Sequence, residues 1–316
     1  MSELVTFGET MAVFSPKTNG PLRYVSDYRL RIAGAESNTA VGLQKLGHST
    51  EWISSLGDDE LGHFILNSVR AEGVNTADVH FDTQHRSGLM LKQISGIGET
   101  SVSYYRENSA FSFFSANSLN ENAIRASRIL HLTGITPVLS ESCRQAIFAA
   151  AEIARAQGVQ ISFDPNIRQK LWKGIDYVPM LKSLAEQADI LLIGLNEAEA
   201  LYGTKEPQQI CSAVFKSGRT HFIAIKDGGN GAWAATSDTL CKIEPYPCHP
   251  IDPIGAGDAF NAAFLAGVLE NQPILQCGKM GAAAGALATQ TDGDVEGQPC
   301  IEQLRMLLTQ EEQIYR

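Results

Sequence analysis

The chain has 316 residues, 44% hydrophobic and 19% charged, an ordinary globular balance with ample apolar material for a sizeable core. No apolar run reaches the roughly 18 residues that a membrane span needs, and the formal charge of −10 argues against a nucleic-acid partner. If the substrate is anionic, its positive receptor has to be local, from a few arginines, lysines or helix N-termini.

The N-terminal run Met1-Ser2-Glu3-Leu4-Val5-Thr6-Phe7-Gly8-Glu9 has no basic region before an apolar stretch. It reads as the first strand of a cytoplasmic protein and not as a signal peptide. Further strands are expected at 51–54, 129–132, 160–163, 190–193 and 221–225, with helical patterns at 38–46, 61–72, 140–157 and 177–187 between them. That alternation predicts an α/β fold, a mainly parallel sheet with helices on both faces. Residues 14–33 and 87–114 interrupt it. In Leu22-Arg23-Tyr24-Val25 and Tyr28-Arg29-Leu30-Arg31-Ile32, apolar and basic side chains alternate across two faces. The run 89–94 leads through Gly96-Ile97-Gly98 into 101–106 as a hairpin. Two readings stand: plain surface hairpins, or a small β-lid on a single domain that spans 1–316. Late in the chain, 259–269 and 278–289 are helices rich in Ala and Gly, suited to close packing.

The six cysteines form no C-x-x-C pair and are expected to be reduced, buried thiols. The seven histidines lack ligand spacing, and His131 reads as a satisfied core residue.

Chemistry concentrates in Asp252-Pro253-Ile254-Gly255-Ala256-Gly257-Asp258. Its glycines let backbone approach a ligand, and the helix start that follows leaves N–H donors suited to phosphate. An Asp held there stays ionised and can accept a hydroxyl proton; the rival reading is an acidic residue in a helix's first turn. A dinucleotide fingerprint is excluded because Phe260 stands where a small residue belongs, and Gly278-Lys279-Met280 is no P-loop. A second turn, Lys226-Asp227-Gly228-Gly229-Asn230-Gly231, suits a hairpin and would also offer Lys226 and open backbone to a nucleotide.

Together with Ala33-Gly34-Ala35-Glu36-Ser37-Asn38 and the helix ending Leu46-Gly47, these segments resemble the ribokinase-like carbohydrate kinases over nearly the whole length. The resemblance implies a three-layer sandwich with a β-lid, ATP and Mg²⁺ as cofactors, and Asp258 as catalytic base. It gives the amides of Gly255, Ala256 and Gly257 the anion hole, and lays Lys226, Gly228 and Gly231 along ATP. Asn196 and Glu199 match an N-x-x-E linked to Mg²⁺ through water, although their spacing also suits a helix cap and its reciprocal partner. Asp252 lies in a loop that relatives wrap around a monovalent cation.

Tyr104-Tyr105-Arg106 and Asp164-Pro165-Asn166-Ile167-Arg168 are similar to the 2-keto-3-deoxygluconate kinase branch. Strand alternation puts Tyr104 and Arg106 on one face, and a phenol beside a guanidinium receives a carboxylate well. Arg168 follows a strand, where ligands bind in such folds. The same likeness sets Gly34, Asn38 and Asp294 against sugar hydroxyls, with an exposed acidic loop as the alternative for Asp294. Met90 departs from a lid Tyr, Ala33-Gly34 from a glycine pair and Ala282 from an adenine-side Asn. The expected activity is ATP-dependent phosphorylation of a sugar acid by a homo-oligomer that pairs through the lid. The alternatives are a kinase for fructose, ribose or a nucleoside, a silent sugar-binding protein on the same scaffold, or an oxidoreductase.

Overall fold

The computed structural model describes residues 1–94 and 100–313, so the Gly96-Ile97-Gly98 tip lies outside the described residues. In chain order the strands are β1 (Leu4–Phe7), β2 (Met11–Pro16), β3 (Tyr28–Ala33), β4 (Thr50–Gly57), β5 (Val79–Asp82), β6 (Leu89–Ile94) and β7 (Thr100–Tyr105). They continue with β8 (Ile129–Thr133), β9 (Gln160–Asp164), β10 (Ile190–Gly194), β11 (Phe222–Lys226), β12 (Ala232–Ala235) and β13 (Leu240–Ile243). Among the described residues they form a nine-stranded sheet, β13-β12-β11-β10-β9-β8-β1-β4-β5, and a four-stranded sheet, β3-β2-β6-β7. The large sheet is parallel from β5 to β11 and antiparallel only at β12 and β13.

Burial on both faces explains the apolar runs. Leu191 and Ile193 of β10 enter one core, with the helices Glu141–Ala156, Val178–Glu186 and Pro207–Phe215. Ile190 and Leu192 enter the other, against Ala35–Lys45, Ala256–Leu269 and Ile274–Ala288. The result is the expected helix–sheet–helix sandwich. Side-chain caps fix two of the entries: Asp59 accepts from the Gly62 amide at 2.7 Å and Ser140 from the Cys143 amide at 3.1 Å.

The second sheet follows the predicted alternation over 28–32 but not over 22–25, where Leu22–Tyr24 forms a 3-10 turn. Its first strand starts at Met11, earlier than the expected 14. The expected second segment runs too far: beyond Tyr105 the chain turns inward, and Phe111 and Phe114 pack in the main core. Arg29 and Arg31 form the basic face of β3 and meet the loop after Ile274–Ala288. Arg31 pairs with Asp292 at 3.0 Å and Glu296 at 3.5 Å, and Arg29 with Asp292 at 3.6 Å.

The Ala/Gly-rich helices both begin earlier than expected, at Ala256 and Ile274. The first is buried without interruption from Ala259 to Leu269, because small side chains let neighbours close in on every side. Cys143, Cys211 and Cys277 are buried, whereas Cys241, Cys248 and Cys300 are only partly so; all six are free thiols. His131 is fully buried, yet only its Nδ1 has a partner, Ser162 Oγ at 3.1 Å; burial pushes its pKa down to about 4. Among the described residues no helix is long and apolar enough to cross a membrane.

The helices Ala35–Lys45 and Ala256–Leu269 touch where Gly42 lies so close that an added Cβ would stand 2.7 Å from Ala262 Cβ. Gly42→Val is therefore expected to overpack this contact and lower stability by about 1–3 kcal/mol in urea denaturation, with partial loss of activity as the two helices part.

Candidate active site

The carboxyl ends of β1, β8, β9, β10 and β11 open on one side of the large sheet. The chain runs outward from β1 in both directions there, which makes a crevice at the strand ends. The four-stranded sheet covers that crevice and encloses a cavity of about 930 Å³. Gly34, Asn38, Met90, Tyr104, Arg106 and Arg168 all line it. So do Asn196, Lys226, Gly228, Gly255, Gly257, Asp258 and Asp294, so most residues expected from sequence meet in one space.

Gly255 starts the helix Ala256–Leu269 in a left-handed conformation, φ 83°, with Asp294 Cα 3.0 Å from where a Cβ would be. That bend turns the first turn of the helix toward the cavity. The Ala256 N–H is used inside the bend, donating to Pro253 O at 3.4 Å, and Ala256 does not line the cavity; Gly255 and Gly257 do. Beside them, Lys226 Nζ donates to Asp164 Oδ2 at 2.9 Å and Asn261 Oδ1 at 3.1 Å, and Asn261 Nδ2 donates to Asp164 Oδ2 at 2.6 Å. Burial alone would raise the Asp164 carboxyl, but the Lys226 ammonium and Asn261 hold it below its ordinary range. Lys226 ends β11, and the hairpin to β12 is also present, so both readings of that turn apply.

Asp258 lies in the first helical turn. Asn38, on a helix 220 residues away in sequence, donates from Nδ2 to Asp258 Oδ2 at 2.8 Å and to Asp294 Oδ2 at 3.4 Å. Asp294 is buried, unlike Asp292 and Glu296 on either side of it, so the exposed-loop alternative fails for this residue. The sequence expectation of an ordinary ionised Asp258 is corrected as well. Burial pushes its pKa up to about 7, helped by Asp164 and Asp294 and opposed by the Asn38 hydrogen bond and Arg168. Burial likewise raises Asp294 to about 6, with Lys92 pulling the other way.

Arg106 is not a free guanidinium. Its Nε and Nη2 donate to Glu9 Oε2 at 2.7 and 2.5 Å, and its Cζ stands 5.7 Å from the centre of the Tyr104 ring. Glu9 is 4% exposed, and its other oxygen, Oε1, has no hydrogen-bond partner among the described residues. Arg168 is exposed at the rim of the cavity. Glu199 does not reach the cavity: it pairs outside with Lys205 at 3.1 Å. The cap belongs to Gly194, with Glu197 as its reciprocal partner, and not to Asn196 with Glu199. Glu197 accepts from the Gly194 amide at 2.7 Å and the Ile167 amide at 2.8 Å, and it lines the cavity. Gly231 and Ala282 lie outside the lining, and Asp252 sits beneath it, bonded to Lys92 of the lid.

Two widely separated motifs thus converge on one buried carboxyl beside a helix N-terminus and a lysine. Residues 1–300 match the model of the pfkB family carbohydrate kinases. The chain belongs to that family. It is a carbohydrate kinase by family and by relatives: it is 35% identical to the 2-dehydro-3-deoxygluconokinase of Bacillus subtilis (strain 168), over 99% of this chain and 98% of that protein. It is 31% identical to the probable fructokinase-5 of Arabidopsis thaliana, over 94% of each. A putative ribokinase II of E. coli, solved in complex with ATP and Mg²⁺, superposes with a TM-score of 0.91 at 23% identity, covering 98% of this chain and 100% of the other.

The kinase's sequence under-reports its site. Glu9, Glu36, Glu197, Asn261 and Lys92 line or brace the cavity without matching a signature that was assigned a role. Glu36 is buried beneath the Thr133 and Thr136 hydroxyls, which donate to it at 2.6 and 2.8 Å. Position alone carried a signal for two of these residues: Glu9 follows the carboxyl end of β1, and Asn261 is one helical step beyond Asp258.

A carboxyl raised to about 7 is protonated below that pH and serves as a base above it. Turnover per KM should therefore climb through pH 7 on the acid limb. Asp258→Asn should lose about 10²–10⁴-fold in turnover. Because its folded pKa lies above the unfolded one, Asp258 withdraws its contribution to stability as pH rises toward and through 7, a loss that the variant is spared at this position. Thermal melts at pH 8 should thus show the inactive variant melting at or above the wild type; an active variant would remove Asp258 from the role.

Proposed function

We propose that the kinase transfers the γ-phosphoryl group of ATP to a primary hydroxyl of a sugar acid, 2-keto-3-deoxygluconate, giving the 6-phosphate. The carrying observation is the Asn38 amide that aims Asp258 into the cavity beside Gly257 and Lys226. Asp258 takes the hydroxyl proton as the oxygen attacks in line, and the helix N-terminus and Lys226 offset the charge on the transferring group. Mg²⁺ bound with the nucleotide would neutralise phosphate charge. Among the described residues no group of three or more His, Cys, Asp or Glu side chains makes a cage for it, which suits an ion that keeps water and phosphate oxygens. Asn196 and Glu197 are the cavity groups that would reach it through water, and Glu199 would do so only by leaving Lys205.

Tyr104, Arg106 and Arg168 support the sugar acid, with Arg168 the guanidinium that has most charge to offer. Glu9 Oε1, Asn38 Oδ1 and Asp294 would accept sugar hydroxyls. The partial neutralisation of Arg106 by Glu9 favours the second reading, a neutral sugar such as fructose. We take the chain as one kinase domain with a discontinuous lid. Such a kinase suits a cytoplasmic setting, where free thiols and ATP coexist.

A coupled ADP-release assay over sugars and sugar acids decides the substrate. Arg168→Ala should raise the KM for 2-keto-3-deoxygluconate about 10–100-fold, the worth of a hydrogen bond to a charged group, and leave that for fructose nearly unchanged. Fructose turnover with none on the sugar acid would sink the claim.

The outer face of the lid carries Phe14, Leu30 (39% exposed) and Tyr105 (59% exposed), and β3 and β7 are its edges. That face is proposed to pair two subunits. Tyr105→Asp should halve the mass found by sedimentation; a wild-type monomer would refute the pairing.

A further inference from the structure

Lys92 lies on β6, two residues beyond Met90, so both point to the inner face of the lid. Yet Lys92 is 1% exposed, and its ammonium ends on Asp252 Oδ2, where the carboxylate is itself only 5% exposed. The other oxygen of Asp252 accepts from the Ile254 amide at 3.2 Å, and its own amide donates to Thr289 O at 3.1 Å. Asp252 therefore fixes the root of the turn that presents Gly255 and Gly257. A buried carboxylate needs a counter-charge at that point. The likeness to ribokinases puts a monovalent cation around this loop, but here a fixed ammonium already sits on the carboxylate. A second positive charge on the same atom would be repelled, so the residues present do not fit that ion.

We propose that Lys92 is a positioning residue, a built-in cation that holds the 252–257 turn in its anion-binding shape and makes the kinase independent of potassium. Its carbon stem belongs to the same strand as Met90 and pairs across to Val102, both of which line the cavity. Lid placement and anion-site geometry are thereby tied through one side chain. Asp294, whose carboxyl Lys92 pulls down against burial, shares the same charge.

The proposal rests on kinase family membership and not on the sugar acid, so whichever sugar turns over serves as substrate. Wild-type turnover and melting temperature should match in potassium chloride and in tetramethylammonium chloride at equal ionic strength. Lys92→Met should lose about 10²-fold in kcat in tetramethylammonium, the scale of a disturbed anion hole, with a smaller change in sugar KM. Potassium or methylammonium should then restore both its kcat and its melting temperature, a rescue that a purely packing role would not give. Strong potassium activation of the wild type would overturn the proposal. So would a Lys92→Met chain that folds and is impaired equally in both salts, or is not impaired at all. If the variant folds in neither salt, the wild-type comparison decides: equal behaviour in both salts upholds the proposal, and potassium dependence ends it.

Discussion

The Asn38 amide is the constraint on which the site depends. It stands on the first turn of one helix and donates to a carboxyl on the first turn of another, and to a third carboxyl on a loop. Without such a donor, Asp258 and Asp294 would be two acidic groups sharing a buried space, each making the other harder to ionise. The amide satisfies both without adding charge, so they keep raised pKa values near neutrality instead of being neutralised outright. The packing beneath serves the same end. Gly42 lets the helix carrying Asn38 lie against the helix carrying Asp258, and an added methyl group there would separate the hydrogen-bonded pair.

The lid depends on a different economy. Its strands turn Phe14, Leu30 and Tyr105 outward and both apolar and basic side chains inward, and three of the inward charges land on acidic loops of the C-terminal half. Arg29 and Arg31 reach Asp292 and Glu296 near the surface, where pairs are worth little. Lys92 reaches Asp252 out of water, where losing one partner is costly. The outer pairs therefore bear only lightly on the lid, and the inner pair ties it to the 252–257 turn.

The sandwich was legible because strands buried on both faces must be apolar at consecutive positions, and 190–193 could hardly serve elsewhere. The convergence of Asn38 and Asp258 was legible only through family likeness, since no local pattern reports a contact across 220 residues. What escaped notice was competition among neighbours. Spacing made Asn196 and Glu199 a cap, but the helix begins two residues earlier, with Gly194 as the cap and Glu197 as its partner. Alternation put Arg106 beside Tyr104, but nothing in the sequence placed Glu9 against it. The pattern of Leu22-Arg23-Tyr24-Val25 matches a strand, yet among the described residues no neighbouring strand extends far enough to pair with it, and the chain coils instead.

These neighbours bear on how a chain of net charge −10 can leave a cavity lined by acids open to an anion. Most of the acids in or beneath it are disarmed by a partner or by burial. Asp164 is paired with Lys226, Glu9 with Arg106 and Asp252 with Lys92. Glu197 spends its oxygens on two backbone amides, and Glu36, which burial raises, is held by two hydroxyls. Asp258 and Asp294 are brought near neutrality by burial. What is left to act at range is the positive end of the helix beginning at Ala256 and the exposed cations Arg168 and Lys170 at the rim. The field an anion meets on entry is therefore set by these few groups and not by the chain's total. The same burial that raises the Asp258 carboxyl would give it the proton affinity that the proposed base requires.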